Sequence, residues 1–131
     1  MNSIPWSPEG PPIGLLAYAG GAAIGWCSIA PRQTFRRLLE SPEEESPGNT
    51  WCITCFYISR ASRGKGVADR LIEAAIAYAS SNGARLVEAY PVARDSPSYR
   101  FMGFTDQFER AGFTMTGTAG SRRNVMQRRI G

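Results

Sequence analysis

The strongest constraint on the fold comes from residues 51–58, Trp-Cys-Ile-Thr-Cys-Phe-Tyr-Ile, an almost unbroken apolar run of strand length. Rich in β-branched and aromatic side chains, it predicts a strand covered on both faces. Residues 66–82 then carry helical spacing: Val67, Leu71, Ala74, Ala75 and Tyr78 form one apolar stripe beside Ala68, Ile72, Ile76 and Ala79. Gly83 stands where a helix C-cap belongs. Residues 86–92 return to strand composition. Strand, helix and strand in this order predict a right-handed crossover whose two strands lie parallel.

The rest of the chain has the pattern of antiparallel pairs. Residues 13–18 and 23–30 are short apolar runs joined by Ala19-Gly20-Gly21, a hairpin turn signal. Ahead of them, Pro5, Pro8, Pro11 and Pro12 make residues 1–12 an extended lead-in. After Pro31, residues 34–40 have the spacing of a short helix or turn, and residues 41–49 the composition of a solvated, mobile loop. Residues 93–100 read as loop and 105–111 as a short helix stopped by Gly112. Residues 113–118 form a strand, 119–121 a turn and 124–130 the closing strand. With 131 residues and no internal repeat, one domain over 1–131 is expected, of mixed α/β (α+β) class.

Composition narrows the function. At 43% hydrophobic and 20% charged residues the chain is globular rather than disordered. No apolar stretch approaches the ~20 residues of a membrane span, and no basic-then-apolar leader opens the chain, so a cytoplasmic protein without a membrane partner is expected. Cys27, Cys52 and Cys55 read as reduced core thiols. The Cys52-x-x-Cys55 spacing lacks a second ligand pair, and the chain has no histidine, so no metal site is expected. The missing histidine also removes Ser-His and Cys-His nucleophile pairs, leaving carboxylates, tyrosines, thiols and backbone for catalysis.

The net charge of +4 is carried mostly by arginine and favours an anionic partner. Arg122, Arg123, Arg128 and Arg129 raise the possibility of a nucleic-acid-binding domain. The basic residues are spread over several elements without interleaved aromatics, which argues against it. A polyanionic small ligand fits the charge as well.

Between the apolar run and the helix lies Arg60-Ala61-Ser62-Arg63-Gly64-Lys65-Gly66-Val67-Ala68. A glycine-rich basic turn that opens a helix is physically an anion site. Glycines let backbone N–H groups approach a ligand, the helix dipole adds partial positive charge, and Arg63 and Lys65 add full charges. The phosphate-loop pattern G-x-x-x-x-G-K-[ST] and the dinucleotide pattern G-x-G-x-x-G both fail here. A glycine turn flanked by surface arginines is the competing reading, and the loop alone does not separate the two.

Context does. Arg63-x-x-Gly66-x-Ala68 matches the R/Q-x-x-G-x-G/A motif of the GNAT acyltransferases and sits where that family has it, after a buried strand and opening a long helix. Phe108-Glu109-Arg110-Ala111-Gly112-Phe113 resembles the family's aromatic-Glu-Lys-x-Gly-Phe stretch. The resemblance runs from about Ile13 to Ile130. Gly14-Leu15-Leu16-Ala17-Tyr18, Gly25-Trp26-Cys27 with Ala30-Pro31-Arg32, and Val87-Glu88-Ala89-Tyr90-Pro91-Val92 look like a small bacterial branch of it. The resemblance implies a mixed, largely antiparallel central sheet with helices on its faces and one splayed parallel strand pair.

It also implies transfer of an acetyl group from acetyl-CoA to a small primary amine, without metal, by direct attack in a ternary complex. The pyrophosphate would lie on Arg63, Gly64, Lys65, Gly66, Val67 and Ala68. Free backbone groups of Tyr57 and Ile58 would take the pantetheine, with the Ile58 N–H facing the developing oxyanion. A carboxylate is then needed to deprotonate the amine. Glu88, a charge inside an apolar strand, is the candidate base, weighed against a solvent-facing position on a half-exposed strand. Many members place a tyrosine proton donor where this chain has Phe108, and an asparagine where it has Phe101. Tyr57, Tyr90 and Tyr99 are the candidate replacements for the donor. A protein that binds CoA without catalysis is the alternative. The family's first strand and the helices after it are expected to be missing, exposing a sheet edge that a homodimer would cover.

Overall fold

The computed structural model describes residues 2–5, 14–32 and 49–130. The helix or turn expected at 34–40, and the loop at 41–49 apart from Asn49, lie outside these residues. Asn2–Pro5 (β1), Leu15–Ala19 (β2), Ala22–Pro31 (β3) and Thr50–Ile58 (β4) are successive antiparallel neighbours. Val67–Ser81 (α1) crosses over the sheet to Leu86–Ala89 (β5), which pairs parallel with β4. Thr105–Arg110 (α2), Thr114–Ala119 (β6) and Arg123–Arg129 (β7) complete the chain. The sheet has seven strands in the order β1-β2-β3-β4-β5-β7-β6, with β4·β5 as its parallel pair. This is the mixed, largely antiparallel architecture expected from the sequence.

Two expectations need correction. Residues 2–5 are not a mere lead-in but an edge strand, registered from Asn2↔Tyr18 to Pro5↔Leu15. Proline is compatible with an extended backbone and is tolerated at an edge, where its missing N–H costs no ladder bond. The strand expected to be missing from the open flank is therefore present. The strand read at 86–92 is shorter, ending at Ala89. Pro91 has no N–H to continue the ladder, and Val92 makes only an isolated parallel bridge to Phe104. There Val92 N donates to Gly103 O at 3.0 Å and Thr105 N to Val92 O at 3.0 Å, which docks α2 against the end of β5.

The core lies between one sheet face and α1. Leu71, Ile72, Ala75 and Ala79 from α1 are fully buried against Cys27, Ile29, Ile53, Val87 and Ala89. Removing a leucine- or isoleucine-sized side chain from water contributes about 1.5–3 kcal/mol, so Leu71 and Ile72 alone anchor the helix firmly. Phe108 of α2 is 0% exposed, with its ring edge-on to Phe113 at 5.0 Å and near Phe56 at 6.0 Å. This cluster fixes α2 beside the end of β4. No helix among the described residues is long and apolar enough to cross a membrane.

Candidate active site

The glycine-rich turn is shaped by local sequence. Arg63 Nε donates to Ile58 O at 3.1 Å, fastening the turn to the end of β4. Gly64 and Gly66 have φ of 76° and 78°, left-handed values that a residue with a Cβ rarely adopts. Gly66 is also the N-cap of α1, and a Cβ built there meets no protein atom within 4 Å. The space above the helix start is open rather than filled. The first helical bond is Arg70 N to Gly66 O at 3.1 Å, and no side chain caps the terminus. None of the amides of residues 64–69 donates a well-formed hydrogen bond to a protein acceptor among the described residues. A row of unpaired N–H groups at the positive end of a fifteen-residue helix is an anion cradle.

The cradle forms one wall of a cleft of about 750 Å³. The cleft exists because the parallel pair comes apart. Pairing of β4 with β5 stops at Ile53↔Ala89, while β4 continues to Ile58 on the side of β3. At that point the β3·β4 register slips, with Ser28 opposite Cys55 and Ile29 opposite Ile53, so Thr54 is an extra residue. Such a bulge bends a strand, and this one falls where the pairing of β4 with β5 ends. Gly103 lies against the floor of the gap; a Cβ on it would sit 2.9 Å from Phe108 and 3.1 Å from Phe56.

The opposite wall is charged. Arg94 and Arg100 stack over the Phe104 ring at 4.5 and 4.9 Å. Arg94 makes a two-pronged pair with Asp106 at 2.9 and 3.0 Å, and Arg110 donates to Asp106 at 3.0 Å. Arg94, foremost through its hydrogen bond, and Arg110 hold the Asp106 carboxyl below its usual range. Arg100 Nη1 is fixed by the carbonyls of Arg94 at 2.7 Å and Ser96 at 3.1 Å. Neither Arg100 nor Arg63 has a carboxylate partner among the described residues, so both leave full positive charge on the cleft.

Of the residues expected to bind cofactor, Tyr57, Ile58, Arg63, Gly64, Gly66, Val67 and Ala68 line this cleft, and Lys65 does not. Arg94, Phe104 and Gln107 line it too and were not singled out; Arg110 also lines it, from the stretch that resembles aromatic-Glu-Lys-x-Gly-Phe, where no role of its own was expected for it. The segment from Arg94 to Gln107 carries no recognisable spacing, and only the fold brings these residues opposite the turn.

Glu88 is not solvent-facing: it is 3% exposed. Its neighbours Val87 and Ala89 face the α1 core, so alternation puts Glu88 on the other sheet face. Tyr90 Oη donates to Glu88 Oε1, Gln127 Nε2 donates to Oε2 at 2.6 Å, and Arg32 Nη1 is 3.8 Å from Oε1. Burial, first of all, pushes the Tyr90 hydroxyl well up, which keeps its proton available to Glu88. Tyr90 also lies 3.5 Å from Cys52 Sγ, whose thiol burial pushes up to about 12. Glu88 stands opposite Cys52, one pair before the strands part, but does not line the cleft. Tyr99 does not line it either; it is 40% exposed, with φ of 58° and Arg123 over its ring at 4.7 Å. Among the described residues no cluster suited to a metal ion is present.

The acetyltransferase (GNAT) family matches the chain over residues 3–104. No curated protein matches it. Solved structures of similar fold include a GNAT acetyltransferase from Streptococcus pneumoniae, at 19% identity and a TM-score of 0.65 over 90% of this chain and 66% of that one. Ribosomal-protein-alanine N-acetyltransferase from Brucella melitensis aligns at 19% identity with a TM-score of 0.64, covering 89% of this chain and 68% of that one. YncA from Salmonella typhimurium, solved with its cofactor acetyl-CoA, aligns at 20% identity with a TM-score of 0.63, covering 93% and 66%. At such identities the likeness is one of fold, and the chain spans about two thirds of the length of each.

Proposed function

The chain belongs to the acetyltransferase (GNAT) family, and from that premise we propose that it is a cytoplasmic N-acetyltransferase that passes the acetyl group of acetyl-CoA to a primary amine in a ternary complex. The observation that carries this reading is the row of amides at residues 64–69, unpaired among the described residues and beneath an open space, a cradle with the chemistry of a pyrophosphate site. Acetyl-CoA supplies the activated thioester. Residues 63–68 hold its pyrophosphate through backbone N–H groups, with Arg63 and Lys65 adding charge. The edge of β4 beyond Ile53 has lost its ladder partner, so backbone groups on that edge, apart from Ile58 O, which takes Arg63 Nε, can face an amide-bearing arm. The Ile58 N–H stabilises negative charge developing on the acyl oxygen.

Glu88 takes the proton of the attacking amine, directly or through water. Tyr90 and Gln127 hold its carboxylate in one orientation beside the parting of β4 and β5. Neither Tyr99 nor Phe108 is required, since a CoA thiolate can leave without a protein donor.

Calorimetric titration of acetyl-CoA tests the reading. The wild type is expected to bind saturably. Gly66→Glu, which puts a carboxylate into the cradle, is expected to weaken binding at least about 100-fold. Gly66→Ala separates backbone strain from charge. A folded wild type that takes up no acetyl-CoA overturns the proposal.

A second reading, a CoA-binding protein without turnover, is favoured by Phe108, which has no proton to give, and by Glu88, whose two oxygens are both engaged. Acetyl-CoA binding with no thiol release over a panel of amines would establish it. A homodimer is proposed on the exposed edge strand β6, where Met115 is 53% exposed, and is tested by light scattering on the eluting peak.

A further inference from the structure

Among the described residues, Asp69 is the one acidic side chain beside the cradle's own amides. It lies in the first turn of α1, lines the cleft, and is 45% exposed. A carboxylate there stabilises the helix by opposing its dipole, yet it competes with a ligand anion for the same field. Arg110 reaches it from α2: Nη2 donates to both Asp69 oxygens, at 3.1 and 3.2 Å, while Nη1 donates to Asp106 at 3.0 Å. Asp106 in turn holds Arg94. Asp69, Arg110, Asp106 and Arg94 therefore form a chain of alternating sign whose formal charges cancel.

As a cation lining a cleft for an anion, Arg110 invites the assignment of a phosphate-binding residue. Its geometry argues otherwise, because both of its terminal nitrogens are already committed to carboxylates. We infer that Arg110 is a positioning residue that acts through Asp69: it holds and neutralises that carboxylate so that the cradle presents net positive charge to a phosphate-bearing ligand. This inference rests on the reading that the turn at residues 63–68 takes a pyrophosphate.

The two partners of the ion pair then act in opposite directions on binding. Without Arg110, an uncompensated carboxylate faces the ligand. Without Asp69, the repulsion is gone and Arg110 is released toward the cleft. A pair that merely clasped α1 to α2 would weaken binding when either side was removed. An arginine that touched phosphate directly would not be replaced by removing Asp69 as well.

The test is calorimetric titration of acetyl-CoA, and separately of inorganic pyrophosphate, into wild type, Arg110→Gln, Asp69→Asn and the double variant at low ionic strength. Thermal melts verify that each is folded. Arg110→Gln is expected to weaken both ligands about tenfold, Asp69→Asn to leave them equal or tighter, and the double variant to return to within about threefold of wild type. Weakening by Asp69→Asn, a double variant as weak as Arg110→Gln, or equal affinity in all four overturns the inference while the cofactor reading stands. Binding of pyrophosphate without acetyl-CoA overturns the cofactor reading, and the order of the four affinities is then scored on pyrophosphate. A wild type that binds neither overturns both.

Discussion

The two halves of β4 have the same apolar composition and opposite surroundings. Residues 50–53 are all buried, whereas residues 54–58 are half-buried or exposed, with Tyr57 60% open to solvent. The change falls where pairing with β5 ends and where the Thr54 bulge bends the strand. What separates core from site along this strand is therefore the number of neighbouring strands, not hydrophobicity. The first half is held on both edges and belongs to the fold; the second is held on one edge and offers the other to a ligand.

The largest expected difference is in stability. Ile53→Ala should cost about 2–5 kcal/mol, as for other fully buried aliphatics, because the side chain is 0% exposed between α1 and the sheet. Tyr57→Ala should stay within about 0.5 kcal/mol. Urea denaturation followed by circular dichroism measures both. Comparable losses would mean that the second half is as much a part of the core as the first.

How much of this was legible in the sequence follows the same division. The run at 51–58, the stripe on α1 and the glycine turn are local signals, and each marked an element at its observed place within a residue or two. The bulge carries no glycine or proline, so nothing in Thr54 announces where β4 and β5 part. Arg94, Phe104 and Arg110 meet the turn only through the docking of α2 on Val92. Glu88 was legible as an anomaly, a charge in an apolar strand. Its burial was not, because that depends on Tyr90 two residues along and on Gln127 from β7, a partner distant in sequence. The edge strand β1 was lost among prolines that suggested a lead-in.

Binding and chemistry divide along the same line. Glu88 belongs to the paired half, opposite Cys52, while the cradle belongs to the open half. Glu88→Gln should lower kcat at least about 100-fold while leaving the acetyl-CoA dissociation constant within about twofold, since it removes a proton acceptor and no cofactor contact. Thiol release measured over a range of amine concentrations separates the two constants. Unchanged kcat would remove Glu88 from the mechanism and leave its network a structural feature of the sheet.

The smallest effect uses the two cysteines of β4 as reporters. Cys52 is buried in the paired half, Cys55 only partly buried in the open half. Burial raises the Cys52 and Cys27 thiols from 9.0 to about 12, and raises Cys55 as well. Below pH 9 folded and unfolded chains both keep these protons, so the thiols add no pH dependence. Above it the unfolded chain releases protons that the folded chain still holds, and stability falls until about pH 12. From pH 8 to pH 10 the loss should be about 1.4 kcal/mol for each fully buried thiol. Cys52→Ala should therefore make the wild-type decline shallower by about that amount, and Cys55→Ala should change it less. In the native protein at pH 8, a thiol-reactive dye should label Cys55 at least about tenfold faster than Cys52. Equal labelling, or equal slopes in the two variants, would mean that solvent reaches the paired half of β4 as freely as the open half, and that the parting at Ile53↔Ala89 is not where the core ends.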